Sequence, residues 1–280
     1  MKAEALFNQI QQKKSYLCVG LDTDIGKIPK HLKHEKDAIF RFNKAIVDNT
    51  QQSCVAYKIN TAFYEALGPE GGQYLNKTAR YIKTNYPEIF LIADAKRGDI
   101  GNTSKMYAKA FFEQMPFDAI TVAPYMGKDS VEPFLQFPNK WTIILGLTSN
   151  KGSSDFQMLH TADHQKYLYE HVISTASSWG DQNNIMFVAG ATQEKQIEAI
   201  RKLIPNHFLL VPGIGAQGGS LEKVSEYGMN NQCGLLVNSS RSIIFSDSSK
   251  DFAEAAKNKA LELQQSMETQ LVKHQLIRNK

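Results

Sequence analysis

The 280-residue chain has little cysteine, no long apolar run and no strong net charge. Its three cysteines, Cys18, Cys54 and Cys233, are odd in number, far apart, and set in or beside apolar runs, with no Cys-x-x-Cys. A disulfide framework is therefore excluded, and buried free thiols in a reducing compartment are expected. No apolar run approaches the roughly 20 residues of a membrane span. Residues 1–14 lack the apolar stretch of a signal peptide, so a cytoplasmic protein without membrane contact is expected. Lys and Arg number 32 against 28 Asp and Glu, a net charge of +4. Nucleic-acid partners call for clustered basic patches, and none is visible; a small anionic substrate needs only local positive charge. There is no His-Glu-x-x-His, Gly-x-Ser-x-Gly elbow or Walker loop. His160, His164 and His171 share a region without cysteines or a carboxylate frame and are expected at the surface.

What is present is apolar material for a sizeable core: 42% hydrophobic residues against 21% charged. Eight short, nearly continuous apolar runs recur at 16–20, 54–59, 90–93, 119–122, 141–145, 185–189, 208–211 and 234–237. Such runs suit strands buried on both faces of a parallel sheet. Helix-like spacing lies between them, at 37–49, 74–85, 104–115, 159–178, 193–203 and 221–227. From about residue 251, Phe252, Ala256, Ala260, Leu263, Met267 and Leu271 share one face of a long C-terminal helix. A short N-terminal helix precedes the first run. Strand–helix alternation repeated eight times, with no linker, predicts a single α/β domain over 1–280, a (β/α)₈ TIM barrel. An open doubly wound sheet is the other architecture; the first run ends in Gly20-Leu21-Asp22-Thr23, without a Gly-x-Gly-x-x-Gly turn.

A barrel carries its site at the C-terminal ends of the strands, so the residues ending each run are the candidates. They include Asp22, Lys58 with Asn60, Asp94-Ala95-Lys96-Arg97-Gly98-Asp99, Thr148-Ser149-Asn150, and Asn238-Ser239-Ser240-Arg241. Asp94 and Lys96, two apart on a strand, are expected on one side of it. With Lys58 and Asp99 they could form an alternating charged cluster. A lysine held between carboxylates stays protonated, and so can donate a proton to a developing carbanion. A salt-bridge network at the barrel rim, or a nuclease-like Asp-x-Lys, are the competing readings; the latter would need a metal and a basic track. Gly213, Gly215, Gly218 and Gly219 after the seventh run, with Arg241 after the eighth, suit a phosphate cradle.

The block Asp94-Ala95-Lys96-Arg97-Gly98-Asp99-Ile100-Gly101-Asn102-Thr103 resembles the signature of the orotidine 5′-phosphate decarboxylase family. So do Val19-Gly20-Leu21-Asp22, Tyr57-Lys58-Ile59-Asn60 with Ala62-Phe63-Tyr64-Glu65, the glycine loop from Pro212, and Asn238-Ser239-Ser240-Arg241. Length and Thr148-Ser149-Asn150 resemble its longer bacterial subfamily, although Lys151 stands where that subfamily usually has proline. The resemblance implies decarboxylation of orotidine 5′-phosphate to uridine 5′-phosphate and carbon dioxide, the last step of UMP biosynthesis, without metal or organic cofactor. It implies that Lys96 is the proton donor to C6, that Asp94 lies near the departing carboxylate, and that Lys58 and Asp99 complete the charged network. It assigns Asp22 and Lys58 to the ribose, Ser149 to the pyrimidine, and Gln217 and Arg241 to the phosphate, with Pro212 and Gly215 among the substrate contacts. It also implies a homodimer in which Asp99 and Thr103 complete the partner's site. Two alternatives stand beside it: a magnesium-dependent sugar-phosphate lyase of the same superfamily, which would carry Glu in place of Lys58, and a catalytically silent phosphate-binding barrel.

Overall fold

A computed structural model of the chain describes residues 1–162, 166–190, 194–213 and 220–278. The eight apolar runs form one closed, parallel barrel: β1 (Leu17–Gly20), β2 (Ala56–Asn60), β3 (Phe90–Arg97), β4 (Ala119–Val122), β5 (Trp141–Leu147), β6 (Ile185–Ala189), β7 (Phe208–Pro212) and β8 (Leu235–Ser239). Neighbours in the chain are neighbours in the barrel, and β8 closes on β1. The open-sheet architecture is thereby excluded. One face of each strand fills the barrel and the other lies under helices, so both faces must be apolar. Parallel pairing brings every C-terminal strand end to one mouth. Register places Gly20 beside Lys58, Asn60 beside Asp94, and Cys18 beside Asn238.

The opposite end is closed by aromatic residues from alternate strands. Phe90, Trp141 and Phe208 open β3, β5 and β7, and their rings meet edge to face at 5.8 and 6.2 Å. The Trp141 indole donates to the Met1 carbonyl at 2.7 Å, and the Ala3–Lys13 helix buries Ala3, Leu6 and Ile10. At the same end the buried Arg201 guanidinium donates to five carbonyls, those of Ile204, Pro205, His207, Gly228 and Gly234. They belong to the turns that enter β7 and β8.

Helices follow the expected spacing closely at Ala38–Thr50 and Leu221–Gly228. The C-terminal helix Phe252–Lys273 buries Phe252, Ala256, Ala260, Met267 and Leu271; Phe252 stacks on Phe42 at 5.2 Å. Other bounds differ. The helix expected from residue 74 begins at Gly68, with Pro69 in its first turn, where a missing N–H costs nothing. The one expected over 104–115 is Gly101–Lys109 followed by a π-helical turn at Ala110–Gln114. The helix expected over 159–178 spans only Leu168–Ala176. His160–Thr161 and Lys166–Tyr167 form a short antiparallel ribbon before it, and the Glu170 carboxylate caps the start by accepting from the Tyr167 N–H at 2.9 Å. A helix at Lys128–Leu135 was not expected, because it is short and holds Pro133. The helix expected from residue 193 is Glu194–Leu203, and Gln193 lies outside the described residues. Among the described residues no helix is long and apolar enough to cross a membrane. All three cysteines are buried and free.

Candidate active site

A cavity of about 360 Å³ opens at the mouth of the barrel. Asp22, Lys58, Asp94, Lys96 and Arg241 line it together with Leu145, Val188 and Leu210. Charge and apolar wall thus share one cavity, and at its buried floor, around Lys58 and Asp94, charge interactions are stronger than in water.

The charges form a chain. Lys58, nearly buried, sends its ammonium between Asp22 (3.2 Å) and Asp94 (2.9 Å). The other oxygen of Asp94 accepts from Lys96 at 2.6 Å and from the Thr121 hydroxyl at 3.0 Å. Burial penalises the Lys58 ammonium, but Asp22 and Asp94 outweigh that penalty and hold its pKa above the ordinary lysine range. Burial likewise opposes ionisation of Asp94, and Lys58 and Lys96 together overcome it, holding the carboxyl at about 2. Both groups are therefore charged at neutral pH. Lys58 already fills the position between two carboxylates that a divalent cation would otherwise take. Among the described residues, no group of three or more His, Cys, Asp and Glu side chains converges as a metal site would require.

Asp94 and Lys96 meet on one side of β3, as their spacing predicts, but regular strand alternation is not what brings them there. Lys96 has φ +46°, in the left-handed region. The pairing of β3 with β4 shifts at this point, from Ala93 opposite Ile120 to Arg97 opposite Val122. This bulge re-aims the lysine. Its N–H donates to the Thr121 hydroxyl oxygen at 2.9 Å instead of to the ladder. Arg97, next in the chain, turns away from the cavity. It pairs with Glu65 and lies over the Tyr107 and Phe111 rings.

Asp22 is held from two sides. The Ser240 hydroxyl reaches its carboxylate at 2.9 Å and lies 3.1 Å from the Gly20 carbonyl oxygen. Behind the loop, Tyr64 donates to the Leu21 carbonyl at 3.1 Å. Asn43 joins Tyr64, Thr23 and Thr78 at 2.6–3.1 Å in a fully buried network. None of these supporting groups was singled out from the sequence. Ser240 and Tyr64 lay in recognised segments, but Asn43 and Thr121 carried no local signal.

Ser149, Pro212, Gly213 and Arg241 also line the cavity. Gly213, at the start of the glycine loop, has φ +96°, which a side chain would disfavour. Arg241 begins the Arg241–Ile244 helix, is exposed, and has no acidic partner among the described residues. Gly215, Gln217, Gly218 and Gly219 lie outside the described residues, as does His164. Asp99 and Thr103 do not line the cavity of their own chain. The Asp99 carboxylate accepts from the Ile100 N–H at 2.7 Å, and Thr103 is exposed on the Gly101–Lys109 helix. The four-member network expected around Lys58 therefore has three of its members, with Asp22 joining from β1. Lys151 opens the 3₁₀ turn Lys151–Asp155. That is a first helical position, where proline and lysine are both accommodated.

Residues 15–257 match the model of the orotidine 5′-phosphate decarboxylase / HUMPS family. The chain is 58% identical over 271 residues to orotidine 5′-phosphate decarboxylase of Bacteroides fragilis (strain YCH46), covering 97% of this chain and 98% of that one. It is 59% identical over 273 residues to the Christiangramia forsetii enzyme of the same name, covering 98% and 100%. Among solved structures, Leishmania donovani OMP decarboxylase superposes with a TM-score of 0.80 at 34% identity, covering 96% of this chain and 100% of that one.

Proposed function

The chain belongs to the orotidine 5′-phosphate decarboxylase / HUMPS family and decarboxylates orotidine 5′-phosphate to uridine 5′-phosphate in UMP biosynthesis; we propose that the Lys58–Asp94–Lys96 chain of charges carries this reaction. Arg241 and the glycine loop, Gln217 included, grip the phosphate dianion. Asp22 and Lys58 meet the ribose hydroxyls, and Ser149 meets the pyrimidine. This orientation sets C6 and its carboxylate over Asp94 and Lys96. The C6–carboxylate bond breaks with its electron pair left on C6, carbon dioxide departs, and the Lys96 ammonium supplies the proton. Two unit charges about 4 Å apart at an effective dielectric near 20 interact by ~4 kcal/mol. That is about three decades of rate, and it falls on a carbanion with no adjacent electron sink. Side chains supply both proton and charge, so the chemistry needs no metal or organic cofactor.

The observation that carries this reading is the ammonium of Lys96 fixed 2.6 Å from a carboxylate that stays ionised inside the cavity. The test is the loss of orotidine 5′-phosphate absorbance with purified protein in EDTA. Turnover is expected in the parent, and a loss of at least about three decades in Lys96→Ala with the circular dichroism unchanged. A chelator-sensitive parent, or an active Lys96→Ala, would overturn the assignment.

A homodimer suits the surface. Phe63, Ile100, Met106, Tyr125 and Met126 are exposed in the segments that follow β2, β3 and β4. Asp99 and Thr103 lie among them, outside their own cavity, where a second copy could receive them. The whole chain acts as one barrel domain, its two ends fastened near each other by the Gln11 side chain donating to the Leu276 carbonyl at 2.9 Å. Buried free thiols and a nucleotide-pathway substrate fit a cytoplasmic location.

A further inference from the structure

We infer that Thr121 is a positioning residue for the decarboxylation, holding Lys96 and Asp94 in register through one hydroxyl. This rests on the reading of Lys96 and Asp94 given above. Between the pairs Ala93–Ile120 and Arg97–Val122, three residues of β3 face a single residue of β4, and that residue is Thr121. The ladder cannot satisfy three residues with one. A backbone N–H left over in a buried strand needs another acceptor. The Thr121 hydroxyl provides it: its oxygen accepts from the Lys96 N–H at 2.9 Å, while its proton goes to Asp94 at 3.0 Å. One group therefore fixes the left-handed backbone turn at Lys96 and the rotamer of the carboxylate that receives the Lys96 ammonium.

The Thr121 side chain is almost wholly buried, at 1% exposure, which shields its bond to Asp94 from water. Valine has nearly the same shape and would fill the same space. It would leave the N–H without an acceptor and Asp94 with one donor fewer. If Thr121 served packing alone, valine would suffice. Phosphate and ribose contacts lie elsewhere in the cavity, so substrate affinity should be nearly independent of the hydroxyl.

The experiment compares Thr121→Val and Thr121→Ser with the parent, using kcat, KM and amide hydrogen exchange at Lys96. Loss of a hydrogen bond to a charged group is expected to lower kcat about 10- to 100-fold in Thr121→Val, with KM within about threefold. Thr121→Ser should recover kcat to within about threefold, and Lys96 exchange should be fast in Val and slow in Ser. Equal kcat in Val and parent, or equal impairment of Val and Ser, would overturn the inference. Should Thr121→Val not fold, Thr121→Ala makes the same comparison against Ser. Exchange at Lys96 does not depend on turnover. An inactive parent would thus overturn the decarboxylation reading, while identical Lys96 exchange in all variants would overturn the role of Thr121 alone.

Discussion

Asp94 accepts from Lys58, Lys96 and Thr121 at once, and this sets the direction of its pH response. Burial would raise its pKa, but the two lysines hold it at about 2 against an ordinary 3.8. A carboxyl depressed in this way stabilises the fold above pH 4 and loses that contribution as pH falls towards 2. Roughly 2 kcal/mol is involved. Denaturant melts should lose stability more steeply across this window in the parent than in Asp94→Asn; parallel curves would remove Asp94 from the acid response. Lys58, raised above 10.5, contributes below that pH and loses its contribution only in stronger alkali, outside this window. Arg241 differs, being exposed and without an acidic partner among the described residues. Arg241→Ala should lower kcat/KM by about 100-fold while leaving Tm in place, as loss of a charge-assisted grip implies. An unchanged kcat/KM would place the phosphate elsewhere. Lys58 was legible because a charged residue inside an apolar run is anomalous, and Asp94 because it directly ends one. Thr121 was not, because threonine is ordinary in a strand and its role depends on a register shift.

At the scale of elements, strands were legible wherever burial on both faces forced continuous apolar runs. The ribbon before Leu168 was not, because Leu159, Ala162, Tyr169 and Ile173 fall on one helical face while the cap formed by Glu170 delays the helix. Close approaches between strand ends were equally invisible. A Cβ on Gly20 would come within 2.8 Å of the Ser240 side chain. Gly20→Ala must therefore push apart the end of β1 and the turn after β8, disturbing the Ser240–Asp22 contact. We expect a loss of about 1–3 kcal/mol in stability, as for other overpacked sites. A fall in kcat/KM should accompany it; a variant as stable and active as the parent would show that this junction yields freely.

For the whole molecule, the apolar residues beside the mouth bear on assembly. Tyr125 is 92% exposed, which is unusual for an aromatic residue next to a catalytic cavity. Light scattering should find a dimer for the parent and a monomer for Met106→Glu/Tyr125→Glu. The monomer's kcat/KM should fall by about 100-fold, the scale of one lost charge interaction at the site. A fully active monomer would remove Asp99 and Thr103 from any shared site. The far end of the barrel has a different character. Arg201 there gathers five carbonyls from the turns into β7 and β8, and no charged group of the cavity is among its partners. Those strands are thus anchored at their beginnings, independently of the loops at their ends. Substitutions in the loops that follow β7 and β8 can therefore be selected for chemistry while this anchor at the base of both strands stays in place. An ancestor with this base could try new substrates while remaining folded.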